Sequence, residues 1–153
     1  MLEHKFFNAL KIILKDNIDK LWPVMENYKT FENIYENLDN IIHQQKITIN
    51  RDYKTLDVNK EFVILIKNNV SIALYNDDDY PHQLKQIYRP PLGIYIEGNI
   101  TAFNNNRNLA VIGSRKATNY GKMVTEKIIK ELSVYDIQIV SGLAVGIDTC
   151  AHT

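Results

Sequence analysis

Two glycine-bearing turns carry the residues best suited to hold an anion. The first, Gly113-Ser114-Arg115, ends the apolar run Leu109-Ala110-Val111-Ile112. The second, Ser141-Gly142-Leu143-Ala144-Val145-Gly146-Ile147-Asp148, ends the run Ile137-Gln138-Ile139-Val140. Gly113 keeps a Cβ out of the way of a ligand approaching the backbone, and Ser114 offers a hydroxyl. Arg115 supplies a planar fork of donors that matches phosphate oxygens. Lys116 and Lys122 add positive charge, and Gly142 and Gly146 repeat the arrangement at the second turn. Asp148 suits a cap for the helix after Gly146, and His152 follows one helical turn later. Tyr120 follows in the helix after the first turn, where buried packing is its favoured role. The Gly-x-Gly-x-x-Gly dinucleotide fingerprint is absent. Gly121-Lys122-Met123 also fails the P-loop pattern, because Met123 stands where Ser or Thr would hold magnesium. Taken alone, strand–Gly–Ser–Arg–helix fits an anion site and a merely tight turn equally well.

These turns need a frame, and the chain predicts one. Residues 118–134 have helical spacing and lie between the two apolar runs, giving a β–α–β unit. Its strand ends open side by side, where parallel α/β sheets place anionic ligands beside a helix N-terminus. Upstream, residues 1–69 read as helical. Phe6, Phe7, Leu10, Ile13 and Leu14 form one apolar stripe, and Phe31, Ile34, Tyr35, Leu38, Ile41 and Ile42 another. Asp19 is expected to cap a helix through Leu21, Trp22, Val24 and Met25, with Pro23 in its first turn. A fourth stripe runs through Phe62, Ile64, Leu65 and Ile66. From residue 70 the register changes, with strands expected at Val70-Ser71-Ile72-Ala73-Leu74-Tyr75 and Leu92-Gly93-Ile94-Tyr95-Ile96. A short helix over 81–87 and a polar loop over 104–108 complete the pattern.

Composition narrows the function classes. No run approaches the roughly 20 apolar residues that span a bilayer, and the N-terminus has no basic region or cleavage site of a signal peptide. The single cysteine, Cys150, rules out an intrachain disulfide and suits the reducing cytoplasm as a small buried apolar residue. Zinc motifs are absent. Asp77-Asp78-Asp79 lacks the further ligands of a calcium loop and reads as a solvated turn. Residues 1–100 hold 12 basic and 14 acidic side chains, and residues 101–153 hold 6 and 4. Differences of −2 and +2 are too small to imply nucleic-acid binding by themselves.

The ordered motifs are more specific. Asp79-Tyr80-Pro81-x-x-Leu84, Pro91-Leu92-x-Ile94-Tyr95-x-x-Gly98, Val111-Ile112-Gly113-Ser114-Arg115 with Tyr120-Gly121, and Ser141-Gly142-Leu143-Ala144-x-Gly146-Ile147-Asp148-x-x-Ala151-His152 occur in that order. Together they strongly resemble the DNA-processing protein A (DprA/Smf) family, closely over 70–153 and loosely before that. The resemblance implies an α/β fold: a truncated Rossmann-like parallel sheet over 70–153, preceded by a small all-α domain of the sterile-alpha-motif (SAM) type over 1–69. It implies a binding protein and not an enzyme, without cofactor or metal. Such a protein holds and protects incoming single-stranded DNA in natural transformation and helps load the RecA recombinase in homologous recombination. Gly113, Ser114, Arg115 and Lys116 become the candidate phosphate contacts, with Gly142 and Gly146 shaping the pocket wall. Tyr120, Asp148 and His152 border it, the last two in mainly structural roles. A homodimer, RecA contact, cytoplasmic location and no membrane association are implied for the whole family protein.

The chain departs from the family in two ways. The link Glu26-Asn27-Tyr28-Lys29-Thr30 contains no glycine, so the helical region lacks a hairpin that approaches a DNA backbone. The chain also stops at Thr153 where the family continues, which reads as a truncated reading frame or fragment with an open sheet edge. The rival expectations are a Rossmann-like enzyme that binds nucleotides or cleaves their N-glycosidic bonds, and an inactive remnant. The enzyme would need an acidic residue poised by a second glycine-rich turn, and no such motif is visible.

Overall fold

The computed structural model describes residues 1–49, 53–99 and 107–153. They fall into two compact units, Met1–Ile100 and Thr101–Thr153. The polar loop expected over 104–108 lies largely outside the described residues.

The first unit is built on α1 (Leu2–Leu14), whose Phe7, Leu10, Ile13 and Leu14 are buried as the stripe predicted. A 3₁₀ segment, Lys15–Leu21, leads into α2 (Trp22–Tyr28). Asp19 does not cap α2. Leu21 occupies the N-cap without a side-chain bond, and Pro23 sits in the first turn, where its missing N–H has no helical partner to lose. The third stripe divides into α3 (Phe31–Glu36) and α4 (Leu38–Gln45), with Asn37 between them. In the glycine-free link, Lys29 itself adopts φ +62° and Thr30 caps α3 by accepting from the Asn33 N–H at 3.1 Å. Next comes α5 (Val58–Lys67), capped by Asp57. Phe62 and Leu65 pack on the core, but Ile64 and Ile66 are about half exposed. A run of consecutive apolar residues cannot all share one helical face.

Strands β1 (Val70–Leu74) and β2 (Gly93–Glu97) pair antiparallel, with Ile72 opposite Tyr95. Ile72, Leu74 and Leu92 join the core formed by α1, α3 and α4, so this ribbon packs with the helices. Secondary-structure type therefore changes at residue 70, whereas compact packing divides at 100/101. Between the strands, Asp77 accepts from the Leu74 N–H at 2.7 Å and lies 2.9 Å from His4 Nε2, so the first of the three acids closes a turn. A short α6 (His82–Lys85) follows Pro81.

The second unit is the expected β–α–β. Strands β3 (Asn108–Ala110) and β4 (Gln138–Val140) pair in parallel, with Leu109 opposite Ile139. They are joined by α7 (Asn119–Leu132), and α8 (Ile147–Cys150) follows the second turn. Among its described residues, Ala151 is the one fully buried apolar side chain, while Leu109, Ile112 and Val140 remain exposed. Cys150 is half-buried. Among the described residues no helix is long and apolar enough to cross a membrane.

Candidate functional site

The two glycine turns meet because the strands that lead into them stay paired past their ends. The Val111 N–H donates to the Val140 carbonyl at 3.0 Å, and the Ser141 hydroxyl donates to the Val111 carbonyl at 2.6 Å. The second turn then lies directly against the first. Gly146 adopts φ +108°, and a Cβ there would overlap the Ser114 carbonyl oxygen and come within 2.9 Å of the Arg115 Cα. Only glycine meets both demands. The neighbouring Ile147 N–H donates to the Ser114 carbonyl at 3.2 Å.

Gly113 is packed rather than open. A Cβ on it would stand 2.6 Å from Ile147 Cγ1, and its N–H donates to Asp148 Oδ1 at 3.1 Å. Its bare backbone thus serves the neighbouring turn, and its own amide is already occupied. Asp148 is buried and does not cap α8. It lies in the first turn of that helix, behind the N-cap Gly146, and reaches across to a strand-end N–H that would otherwise be orphaned. Gly142 leaves room for the same carboxylate, since a Cβ there would be 3.1 Å from Asp148 Oδ2.

With the backbone so held, the polar groups of the first turn face solvent. Ser114, Arg115, Lys116 and Lys122 are all exposed. The Ser114 hydroxyl oxygen accepts from the Lys116 N–H at 3.1 Å, which leaves its proton free to donate elsewhere. Among the described residues, the backbone N–H groups of Ser114 and Arg115 make no hydrogen bond. Thr118 caps α7 by accepting from the Gly121 N–H at 3.1 Å, so the positive end of that helix begins three residues after Arg115. Tyr120 is 72% exposed, which overturns packing as its role. Its place in the first turn of α7 turns the ring toward solvent. His152 is exposed, and its ring makes no hydrogen bond among the described residues. No cluster of three or more metal-ligating side chains occurs among the described residues.

Sequence reasoning missed Ile147, the side chain under Gly113, and Ser141, the hydroxyl that ties the turns together. Neither has a local sequence signal, because both act across about 30 residues of chain. Thr118, which the helical spacing counts inside the helix, is its N-cap, and the signal for that was a threonine at the start of the run.

Chemically, the arrangement offers a fixed backbone, one guanidinium, one ammonium beside it, a free hydroxyl proton and two unpaired amides. That is an inventory for binding anions. Among the described residues, no nucleophile is hydrogen-bonded to a base in these turns.

The family model for DNA recombination-mediator protein A matches residues 71–153. The chain is 41% identical over 73 residues to DNA processing protein DprA of Bacillus subtilis (strain 168), covering 48% of this chain and 25% of that protein. It is 42% identical over 76 residues to the DprA of Streptococcus pneumoniae (strain ATCC BAA-255 / R6), covering 50% of this chain and 26% of that protein. The X-ray structure of DNA processing protein A (DprA) from Streptococcus pneumoniae aligns with a TM-score of 0.62 at 26% identity. That alignment covers 99% of this chain and 53% of the other, so the likeness includes the helical residues as well as the parallel unit. The matches span about a quarter of the length of the curated relatives. Because the family match takes in both glycine turns and more than half of the chain, the chain belongs to the DNA recombination-mediator protein A (DprA/Smf) family.

Proposed function

We propose that this chain binds single-stranded DNA through the Gly113-Ser114-Arg115 turn, as a binding protein without catalytic, cofactor or metal chemistry. The observation that carries this reading is the solvent-facing Arg115 and Ser114 on a backbone pinned by Gly146 and Asp148. Arg115, Ser114 and Lys116 contact phosphate, while Gly113, Gly142 and Gly146 set the wall. Asp148 holds the turns together, Tyr120 offers a ring for stacking at the border, and His152 lies at the rim. In this reading, residues 1–69 are the SAM-like part and residues 70–153 belong to the Rossmann-like domain of a longer family protein. That protein works in the cytoplasm, protects incoming strands in natural transformation, and assists RecA loading as a homodimer. The family membership and the anion-suited turn support this reading.

The test is fluorescence anisotropy with labelled oligothymidine at two salt concentrations, comparing the chain with Arg115→Ala. Phosphate contacts release counterions, so affinity falls with salt, and loss of one contact lowers the logarithmic slope by about 0.7. Binding should weaken similarly for all sequences. An unchanged affinity and slope in Arg115→Ala would remove this residue from the site, and equally tight duplex binding would count against the single-strand reading.

A further inference from the structure

A groove of about 640 Å³ in the unit Met1–Ile100 combines an aromatic wall with an excess of cations. It is lined by Trp22, Tyr75, Lys20, Lys85 and Arg89, with Asp19 the one acid among its lining residues. Trp22 begins α2, and its position is fixed twice. Its indole N–H donates to the Pro90 carbonyl at 2.9 Å, and its ring stands edge-on to Tyr75 at 4.9 Å. Lys85 lies 5.4 Å from the Tyr75 ring centre, and the Arg89 guanidinium lies 5.2 Å from that of the exposed Tyr88. Among the described residues, none of Lys20, Lys85 and Arg89 is in an ion pair.

A second groove, of about 520 Å³, also contains Trp22 and Tyr75 but is lined by Glu3, Glu26 and Asp77 against Lys29 alone. The same aromatic pair therefore has one basic and one acidic flank, and an anion is favoured in the first groove only. A planar wall beside cations is the combination by which proteins hold unpaired bases, because stacking needs an open base face and the charges follow the backbone. A duplex hides those faces, and an acidic peptide has no use for the indole.

We propose that the basic groove is a second nucleic-acid contact, taking one nucleotide of single-stranded DNA with its base against Trp22 and its phosphates toward Lys20, Lys85 and Arg89. The inference rests on the single-stranded DNA reading of this chain but uses residues separate from the glycine turns.

Trp22 is the one tryptophan of the sequence, so its emission reads this groove directly. The full chain is titrated with oligothymidine, thymidine monophosphate and polyglutamate. Oligothymidine is expected to quench Trp22 saturably, the mononucleotide at least about tenfold more weakly, and polyglutamate not at all. Lys85→Gln combined with Arg89→Gln should weaken the quenching affinity about fivefold to tenfold and lower its salt slope by about 1.4. Lys20→Gln, at an exposed position, should act in the same direction with a smaller effect. The inference is overturned by unaltered emission, by equal affinity for mononucleotide and oligomer, by quenching with polyglutamate, or by quenching unchanged in the double variant. Arg115→Ala separates the two sites. If it leaves anisotropy unchanged while oligothymidine still quenches Trp22, the turn reading fails and the groove stands.

Discussion

Gly146→Ala should loosen the junction between the two turns, and Gly98 provides an internal control for the size of the effect. Both glycines have positive φ, +108° at Gly146 and +99° at Gly98. Placing an L-residue in such a conformation costs about 1–3 kcal/mol. At Gly98 that is the whole penalty, since a Cβ there meets nothing within 4 Å. At Gly146 the Cβ would also overlap the Ser114 carbonyl oxygen and crowd Arg115 at 2.9 Å. These are backbone atoms, which cannot rotate away, and overpacking adds about 1–3 kcal/mol. The expected totals are about 1–3 kcal/mol for Gly98→Ala and about 2–6 kcal/mol for Gly146→Ala.

Native-state amide hydrogen exchange reads the local part of this penalty. The Ile147 N–H, bonded to Ser114, and the Val111 N–H, bonded to Val140, report on the junction. With about 1.4 kcal/mol per factor of ten, a loss of 2 kcal/mol speeds their exchange about 30-fold. The amides at the Val70–Glu97 end of the β1–β2 ribbon, next to Gly98, report on Gly98→Ala. If Gly146→Ala speeds exchange at Ile147 and Val111 less than about threefold, or no more than Gly98→Ala does at the Val70–Glu97 end of the ribbon, the docking of the two turns is wrong.

Thr118→Ala should lower the stability of the α7 frame by about 1 kcal/mol through loss of the cap on Gly121, seen as a lower urea midpoint, with Thr118→Ser retaining it. Asp148→Ala leaves the Gly113 N–H without its acceptor and should cost about 1–3 kcal/mol in thermal unfolding, whereas Asp148→Asn keeps an acceptor and most of the stability. Burial pushes the Tyr95 hydroxyl up to about 12. The folded chain therefore keeps a proton that the unfolded chain releases near 10. The resulting stability is complete below pH 10 and is lost as pH rises through 12. Unfolding midpoints between pH 9 and 12 should fall accordingly. Tyr95→Phe should shrink that fall without abolishing it, because Tyr35 and Tyr80 are also raised, chiefly by burial. The same variant strips the buried Asn8 side-chain carbonyl of its 2.9 Å donor and should cost about 1–3 kcal/mol at neutral pH.

The α/β class, the β–α–β order and the start of α7 were legible because each rests on local periodicity and turn chemistry. Phe7, Leu10, Ile13 and Leu14 fall on one helical face whatever they meet. Contacts that cross the chain were not legible. Nothing near Asp19 says that a 3₁₀ segment will carry the chain through to Trp22, and nothing near Lys29 marks it for a left-handed turn where glycine would be expected. Nor does Val70-Ser71-Ile72-Ala73-Leu74 reveal that its partner runs antiparallel and that the ribbon packs on α1. At the site, Gly113, Gly146 and Asp148 serve the contact between the two turns, where the local reading gave the glycines to a ligand and Asp148 to a helix cap. A missing Cβ looks the same in a sequence whether the space is for a ligand or for the next loop.

That distinction separates frame from contact. Gly146 against Ser114, the Ile147 N–H on the Ser114 carbonyl, Asp148 on Gly113 and Ser141 on Val111 all attach to residues 111–114, immediately before Arg115. None engages the guanidinium. A binding group whose backbone is already fixed loses less conformational freedom when it meets phosphate than one on a free loop, and that difference appears as affinity. Substitutions in the two classes should therefore move different quantities. Gly146→Ala releases the frame, so exchange at Ile147 rises and DNA affinity falls with it. Arg115→Ala removes the charge, so affinity and salt slope fall while exchange at Ile147 stays at its original rate. If Arg115→Ala also released Ile147, the guanidinium would belong to the frame, and the turn would be a structural lock rather than a phosphate contact.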